Sequence, residues 1–206
     1  MIIVNVEQNS PEWLSLKAGV PSTSQFGCIV TSQGKVSKQR DKYLRTLAGE
    51  RVMGYRRAGY SNSSMEFGIE TEEQASREFT KRMGFKVGLV GICYPDEGKK
   101  YLSSPDRLLL DSNNDPAGTL EIKCPDVHTH VEYLLAGKIP SKYVVQVQGQ
   151  LLVTGLDTAY FVSYAPDIKP LIVKVERDEG LIDMLRSELD KFCKELDELV
   201  DKIKED

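Results

Sequence analysis

The chain has 206 residues, 40% of them hydrophobic and 28% charged, with a formal net charge of −4. That profile excludes intrinsic disorder and fibrous repeats, and a chain of this length buries roughly 70% of the surface it would expose unfolded. Neither disulfides nor a structural metal is then needed for stability, so any bound metal serves chemistry. Ahead of its short N-terminal apolar stretch there is no basic region, and nowhere do about 18 apolar residues run uninterrupted, so neither an export signal nor a membrane span is expected. Ser10, Pro11 and Glu12 before Trp13, Leu14 and Leu16 have the form of an N-cap, a first-turn proline and an apolar face, which predicts a short helix ended by Gly19. Residues 41–54 set Leu44, Leu47, Ala48 and, as a further candidate, Val52 on one helical stripe with arginines around it. After the segment GYSNSS, a third helical pattern covers about 65–83, with Phe67, Ala75 and Phe79 apolar and Glu66, Glu70, Glu72 and Glu73 acidic.

The period then changes. Short runs at 87–94, 101–106, 107–110 and 119–124 are separated by PDEGKK and DSNNDPAG, and read as a meander of strands. Between 143 and 152 the valines suit a strand, but Tyr143, Gln146 and Gln150 at steps of three and four form a polar ridge on a helix, which is the preferred reading. Runs at 159–164 and 171–175 flank APDIKP as a hairpin. Leu181, Leu185, Leu189, Phe192, Leu196, Leu199 and Ile203 then mark an amphipathic C-terminal helix, for core packing or a subunit contact. The fold class is α/β, with helices around a central mixed β-sheet, in one domain over residues 1–206.

Cys28, Cys93, Cys124 and Cys193 contain no CxxC pair and read as reduced thiols of a cytosolic protein. His128 and His130 lack further ligands at metal spacing and read as exposed residues of a loop or helix start. Charge is unevenly distributed. Residues 33–60 hold eight basic side chains against two acidic, whereas 176–206 hold twelve acidic against six basic. A dipolar molecule follows, with Arg45, Arg51, Arg56 and Arg57 as candidate contacts to a nucleic-acid backbone and a merely solvated basic helix as the alternative.

The segment with most chemical content is Ser104-Pro105-Asp106 followed, 15 positions after the aspartate, by Glu121-Ile122-Lys123. On a strand Glu121 and Lys123 point one way while Leu120 and Ile122 point into the core. If the strands at 107–110 and 119–124 pair across the turn between them, Asp106 arrives near Glu121 and Lys123. Converging carboxylates suit Mg²⁺ or Mn²⁺, and Glu70 or Glu72 on the preceding helix could add a ligand. Such ions support phosphodiester hydrolysis, with Lys123 able to hold the attacking water or offset developing charge. The alternative is a surface Glu–Lys pair on an edge strand.

Ser104-Pro105-Asp106, Leu120-Glu121-Ile122-Lys123-Cys124-Pro125 and Tyr143-Val144-Val145-Gln146-Val147-Gln148 resemble the PD-(D/E)XK nucleases, and more narrowly the phage lambda exonuclease family, also called YqaJ-type viral recombinases. Trp13-Leu14 with Gly19 and Ser22-Thr23-Ser24, and Phe67-Gly68 with Glu72, extend the similarity over about residues 10–177. The resemblance implies a restriction-endonuclease-like core and a Mg²⁺-dependent (or Mn²⁺-dependent) 5′-to-3′ exonuclease. Such an enzyme acts on double-stranded DNA ends and leaves 3′ overhangs. It also implies a homotrimer ring, a phage single-strand annealing protein as partner, no membrane, and a place in the bacterial host cytoplasm. Residue by residue, Asp106, Glu121 and the Ile122 carbonyl would bind metal, Glu72 would reach the metal site, Lys123 would be the catalytic lysine and Gln146 would border it. Ser24 and Ser104 would grip the 5′ phosphate with Lys17, which stands where the family pattern has arginine and so cannot offer a bidentate fork. Met65 would match a wedge between separating strands, with core packing as its alternative. The rival readings are an endonuclease of restriction or junction-resolving type, and a DNA-end-binding scaffold with a silent site.

Overall fold

The computed structural model describes the backbone of residues 1–56 and 63–205 and the side chains of 1–56 and 70–205; Arg57 and the side chains of Met65 and Phe67 fall outside the described residues. In order, the elements are β1 (Ile2–Val4), α1 (Pro11–Lys17), a 3-10 turn (Thr23–Cys28), α2 (Arg40–Met53), α3 (Ser63–Met83), β2 (Lys86–Gly88), β3 (Ile92–Tyr94), β4 (Arg107–Leu110) and β5 (Pro116–Lys123). They continue with α4 (Val127–Ala136), α5 (Ser141–Thr154), β6 (Thr158–Ser163), β7 (Leu171–Glu176) and α6 (Glu179–Lys204). Local chemistry sets several boundaries as expected. The Ser10 hydroxyl accepts the Trp13 N–H at 3.1 Å ahead of Pro11, and α2 ends on Gly54 in the left-handed region. Among the described residues no helix is long and apolar enough to cross a membrane.

The main sheet has the order β2-β4-β5-β6-β7. Only β5 and β6 are parallel, and the chain between them supplies the crossover through α4 and α5. The sheet is therefore mixed and flanked by helices. β5 occupies its centre and is buried on both faces. Leu120 and Ile122 pack with Ala75 and Phe79 of α3 and with Leu109, Tyr160 and Val162. Thr119 and Glu121, alternating to the other face, meet α5. Each buried Leu, Ile or Phe contributes about 1.5–3 kcal/mol relative to exposure, so a functional side chain on β5 stands on the best-anchored strand of the sheet.

Four expectations are corrected. Residues 87–94 are not one strand: after Gly88 the chain leaves the main sheet, exposes Leu89 and enters a two-stranded sheet in which β3 pairs antiparallel with β1. The crossing is at Gly91, where a Cβ would lie 2.4 Å from the Val6 carbonyl oxygen, an approach only glycine permits. Residues 101–106 are not a strand either, since Leu102 and Ser103 make only isolated bridges, to Ser22 and Cys93. His130 is fully buried on the inner side of α4, between Ser163 Oγ (2.8 Å) and the Lys169 carbonyl (3.1 Å), while His128 is exposed. The helical period that turns His128 outward turns His130 toward β6.

The last correction concerns charge. The basic α2 and the acidic α6 are packed together, with Tyr43 stacked on Phe192 at 5.6 Å. Arg40 bonds both oxygens of Glu195 at 2.7 and 2.9 Å, and Arg51 pairs with Asp197. Opposite charges of the two segments thus meet across an interface instead of standing at separate poles. Leu181, Leu185, Leu189, Phe192 and Leu196 are buried there as core; Ile203 and Val52 are exposed.

Candidate active site

The pairing of β4 with β5 is antiparallel with Arg107 opposite Leu120, which carries Asp106 beyond the ladder beside Glu121 and Ile122. The Ile122 N–H donates to Asp106 Oδ2 at 2.6 Å. Gln8 fixes the turn before it by donating to the Pro105 carbonyl at 3.0 Å and the Val90 carbonyl at 2.9 Å. The other oxygen, Asp106 Oδ1, accepts no hydrogen bond among the described residues.

Glu121 is 1% exposed, so it is not on an open wall; α5 covers it. A carboxylate so placed must be paired and hydrogen-bonded, and it is. Its Oε1 accepts from Lys123 Nζ and, at 2.5 Å, from Gln146 Nε2, while its Oε2 accepts from Gln150 Nε2. The Asp106 carboxyl is pushed well above the usual carboxylate range, by burial first and then by the negative charge of Glu121. Burial lowers the Lys123 pKa, but the Glu121 and Asp106 carboxylates outweigh it, and the net effect is to raise the ammonium above its ordinary value. Lys123 also lies 5.5 Å from the ring centre of Tyr143, which stacks on Phe161.

Lys17 enters from α1. It is buried, with its ammonium 3.7 Å from the Trp13 ring centre, and its position is set by Gly19 two residues on. Gly19 has φ +67°, its N–H donates to Glu50 at 2.9 Å and its carbonyl accepts from Arg51 at 2.8 Å, so α2 clamps the end of α1. Burial and then the charge of Arg56 lower the Lys17 pKa to about 7, against the opposing pull of Glu121 and Asp106. Those interactions place Lys17 within electrostatic reach of both carboxylates. Ser104 connects to the same corner: its hydroxyl accepts from Trp13 Nε1 at 3.1 Å and donates to the Gly91 carbonyl at 2.6 Å.

Asp106 is therefore brought against Ile122, and the adjacent Glu121 against Lys123 and Gln146, with Lys17 and Ser104 bordering them. Ser24 is exposed on the 3-10 turn, and its hydroxyl meets Ser22 Oγ at 3.2 Å. Glu72 is turned to Arg107, which donates to Glu72 at 2.8 Å, to Glu73 at 2.9 Å and to the Asp106 carbonyl at 2.6 Å. The charge of Glu72 still acts on Asp106. Among the described residues no three His, Cys, Asp or Glu side chains gather closely enough to hold a metal. Asp106 and Glu121 nonetheless form a fitting hard-oxygen pair. The burial of Asp106 and the charge of Glu121 upon it are what a divalent cation would offset.

Two residues are given no part in the site by the sequence. Gln150 falls four residues after Gln146 on the polar ridge, and that spacing was its signal. Arg107 was visible only as a charge at the head of an otherwise leucine strand.

The family model of the YqaJ-like viral recombinase domain matches residues 12–157. No curated protein matches the chain. Among solved structures, an alkaline exonuclease (LHK-Exo) from Laribacter hongkongensis superposes with a TM-score of 0.83 at 28% identity, covering 95% of this chain and 96% of that one. Its complex with dAMP gives a TM-score of 0.82 at the same identity and coverage. A phage related exonuclease from Haemophilus somnus 129PT shares the fold, with a TM-score of 0.66 at 19% identity over 90% of this chain and 96% of the other.

Proposed function

The chain belongs to the YqaJ-like viral recombinase family, and from that premise we propose that it is a Mg²⁺-dependent exonuclease. It removes one strand of duplex DNA from its ends, 5′ to 3′, and leaves 3′ single-stranded overhangs for annealing. The observation that carries this reading is the contact of Asp106 with the strand bearing Glu121 and Lys123, through the Ile122 N–H at 2.6 Å. Asp106, Glu121 and the Ile122 carbonyl would hold Mg²⁺, for which Mn²⁺ can substitute; the bound ion supplies charge neutralisation at the scissile phosphate and a more acidic water.

The protein's own groups do the remainder. Lys123 offsets charge developing on the phosphate, and Gln146 holds Glu121 Oε1 in place. Lys17, with Ser104 and Ser24, receives the 5′ phosphate, and Met65 separates the terminal pair. Glu72 acts at one remove, through Arg107. That the related LHK-Exo has been crystallised with dAMP supports a pocket for a nucleoside monophosphate, the unit such an exonuclease releases. The proposal takes residues 1–206 as one catalytic domain acting in the cytoplasm of a bacterial host, as a trimeric ring, beside a phage single-strand annealing protein.

The test is digestion of linear duplexes labelled at either end, with and without a 5′ phosphate, beside covalently closed circles. Mononucleotides should appear from 5′ ends only, and Asp106→Asn or Glu121→Gln should abolish their release. Rapid cutting of closed circles would instead mark an endonuclease and reject the proposal.

A further inference from the structure

We infer that Gln150 is a positioning residue that fixes Glu121 so that only its Oε1 is offered to the site, with Thr119 setting the direction of the Gln150 amide. The inference rests on the reading of Glu121 as a metal ligand. Gln150 is fully buried on α5, and its amide is used at both ends: Nε2 donates to Glu121 Oε2, and Oε1 accepts from Thr119 Oγ1 at 3.2 Å. A carboxylate can only accept, so the NH₂ end must face Glu121, and the carbonyl end then needs a donor behind it. The Thr119 hydroxyl is that donor, itself fully buried.

Thr119 and Glu121 are two residues apart on β5, on the same face, at a spacing of roughly 7 Å along the strand. One side chain from α5 therefore bridges both and ties helix to strand at the carboxylate. The two oxygens of Glu121 become inequivalent. Oε2 is bonded by the fully buried Gln150; Oε1 is the oxygen that Lys123 and Gln146 hold. Without Gln150, Oε2 would be a buried acceptor lacking a donor, and the carboxylate would rotate to escape that state. Partners behind a metal ligand that fix its orientation commonly matter tenfold to a hundredfold in affinity.

Mn²⁺ binding to the full-length, metal-stripped protein without DNA, followed by electron paramagnetic resonance, tests this without turnover. Gln150→Leu should weaken Mn²⁺ binding by roughly tenfold or more. Thr119→Val should weaken it several-fold, and Thr119→Ser, which restores the hydroxyl, should return it to the wild-type value. In the nuclease assay the Gln150→Leu defect should shrink as metal is raised, with the metal requirement moving more than the saturated rate. Glu121→Ala is the reference. If it loses Mn²⁺ while Gln150→Leu binds within twofold of wild type, the positioning role is refuted. If Gln150→Leu does not fold, the same twofold criterion applied to Thr119→Val decides. If Glu121→Ala itself binds Mn²⁺ normally, the metal-ligand reading fails, whatever Gln150 does.

Discussion

Replacing Lys17 by methionine keeps an unbranched stem beside Trp13 and removes the ammonium, which isolates the consequence of burying that charge. Burial, followed by the charge of Arg56, lowers the Lys17 pKa from 10.5 to about 7. Between those values the unfolded chain holds a proton that the folded chain lacks, so stability rises with pH from 7 to 10.5 and is flat below 7. At about 1.4 kcal/mol per pH unit, the penalty is about 4 kcal/mol at pH 7 and about 1.4 kcal/mol at pH 9.5. Lys17→Met should thus stabilise the metal-free protein at pH 7 by up to about 4 kcal/mol, less about 0.5–2 kcal/mol for the lost contact with the Trp13 ring. The advantage should shrink by about 3 kcal/mol at pH 9.5. Urea denaturation of both proteins in EDTA at the two pH values measures it, since titrating groups remote from Lys17 cancel in the comparison. An advantage that stays the same within about 0.5 kcal/mol at both pH values would show that Lys17 keeps its proton when buried, and the reasoning would fail.

The same proton should govern recognition of a 5′ phosphate: in Ca²⁺, the ratio of affinities for 5′-phosphorylated and 5′-hydroxyl duplexes should fall as pH rises above 7, and Lys17→Arg should flatten that profile. Arg107→Met should cost about 3 kcal/mol, the low end for breaking a buried pair because Glu72 and Glu73 both reach water, and should lower Tm by roughly 6–12 °C in a thermal melt. An unchanged Tm would mean that the arginine clamp on α3 contributes nothing. Arg40→Gln should leave the slope of log K against log salt for DNA binding unchanged, because Arg40 is held by Glu195; a slope lowered by about 0.9 would show that Arg40 meets a phosphate.

What could be read from the sequence was whatever depends on alternation and pairing. Asp106, Glu121 and Lys123 were placeable because a turn of DSNNDPAG returns one strand onto the other, and because a two-residue period puts Glu121 and Lys123 on one side. The α5 ridge was legible for the same reason, through Tyr143, Gln146 and Gln150 at helical spacing. What the sequence left hidden was the identity of tertiary partners. A strand period does not reveal that the chain changes sheets at Gly91, since apolar residues flank the crossing on both sides. Nor does a lone arginine at the head of a strand announce that Glu72 and Glu73 lie opposite it, so Glu72 could be expected at a metal when its nearest partner is Arg107. His130 reads as exposed because two histidines without further ligands at metal spacing do not show that α4 turns the second of them inward, onto Ser163 of β6.

Net charge along a segment proved a poor guide to the surface it presents, and the reason bears on how DNA would be met. Of the basic residues in α2, Arg40 and Arg51 are tied to Glu195 and Asp197 of α6, and Arg51 also holds the Gly19 carbonyl that sets Lys17. Exposed Arg45 sits 3.7 Å from Asp41, a pair worth little in water. Among the described residues Arg56, 3.8 Å from Glu50, is the arginine whose charge is felt at Lys17. A basic helix that spends its arginines on internal contacts cannot grip duplex along its whole length. It can still build the corner where α1 ends, and there one ammonium, its pKa lowered to about 7 by burial, would gain charge when an anion pairs with it. Selectivity for a terminal phosphate over the many internal ones would then come from burial, which an interior phosphate of an intact duplex cannot reach.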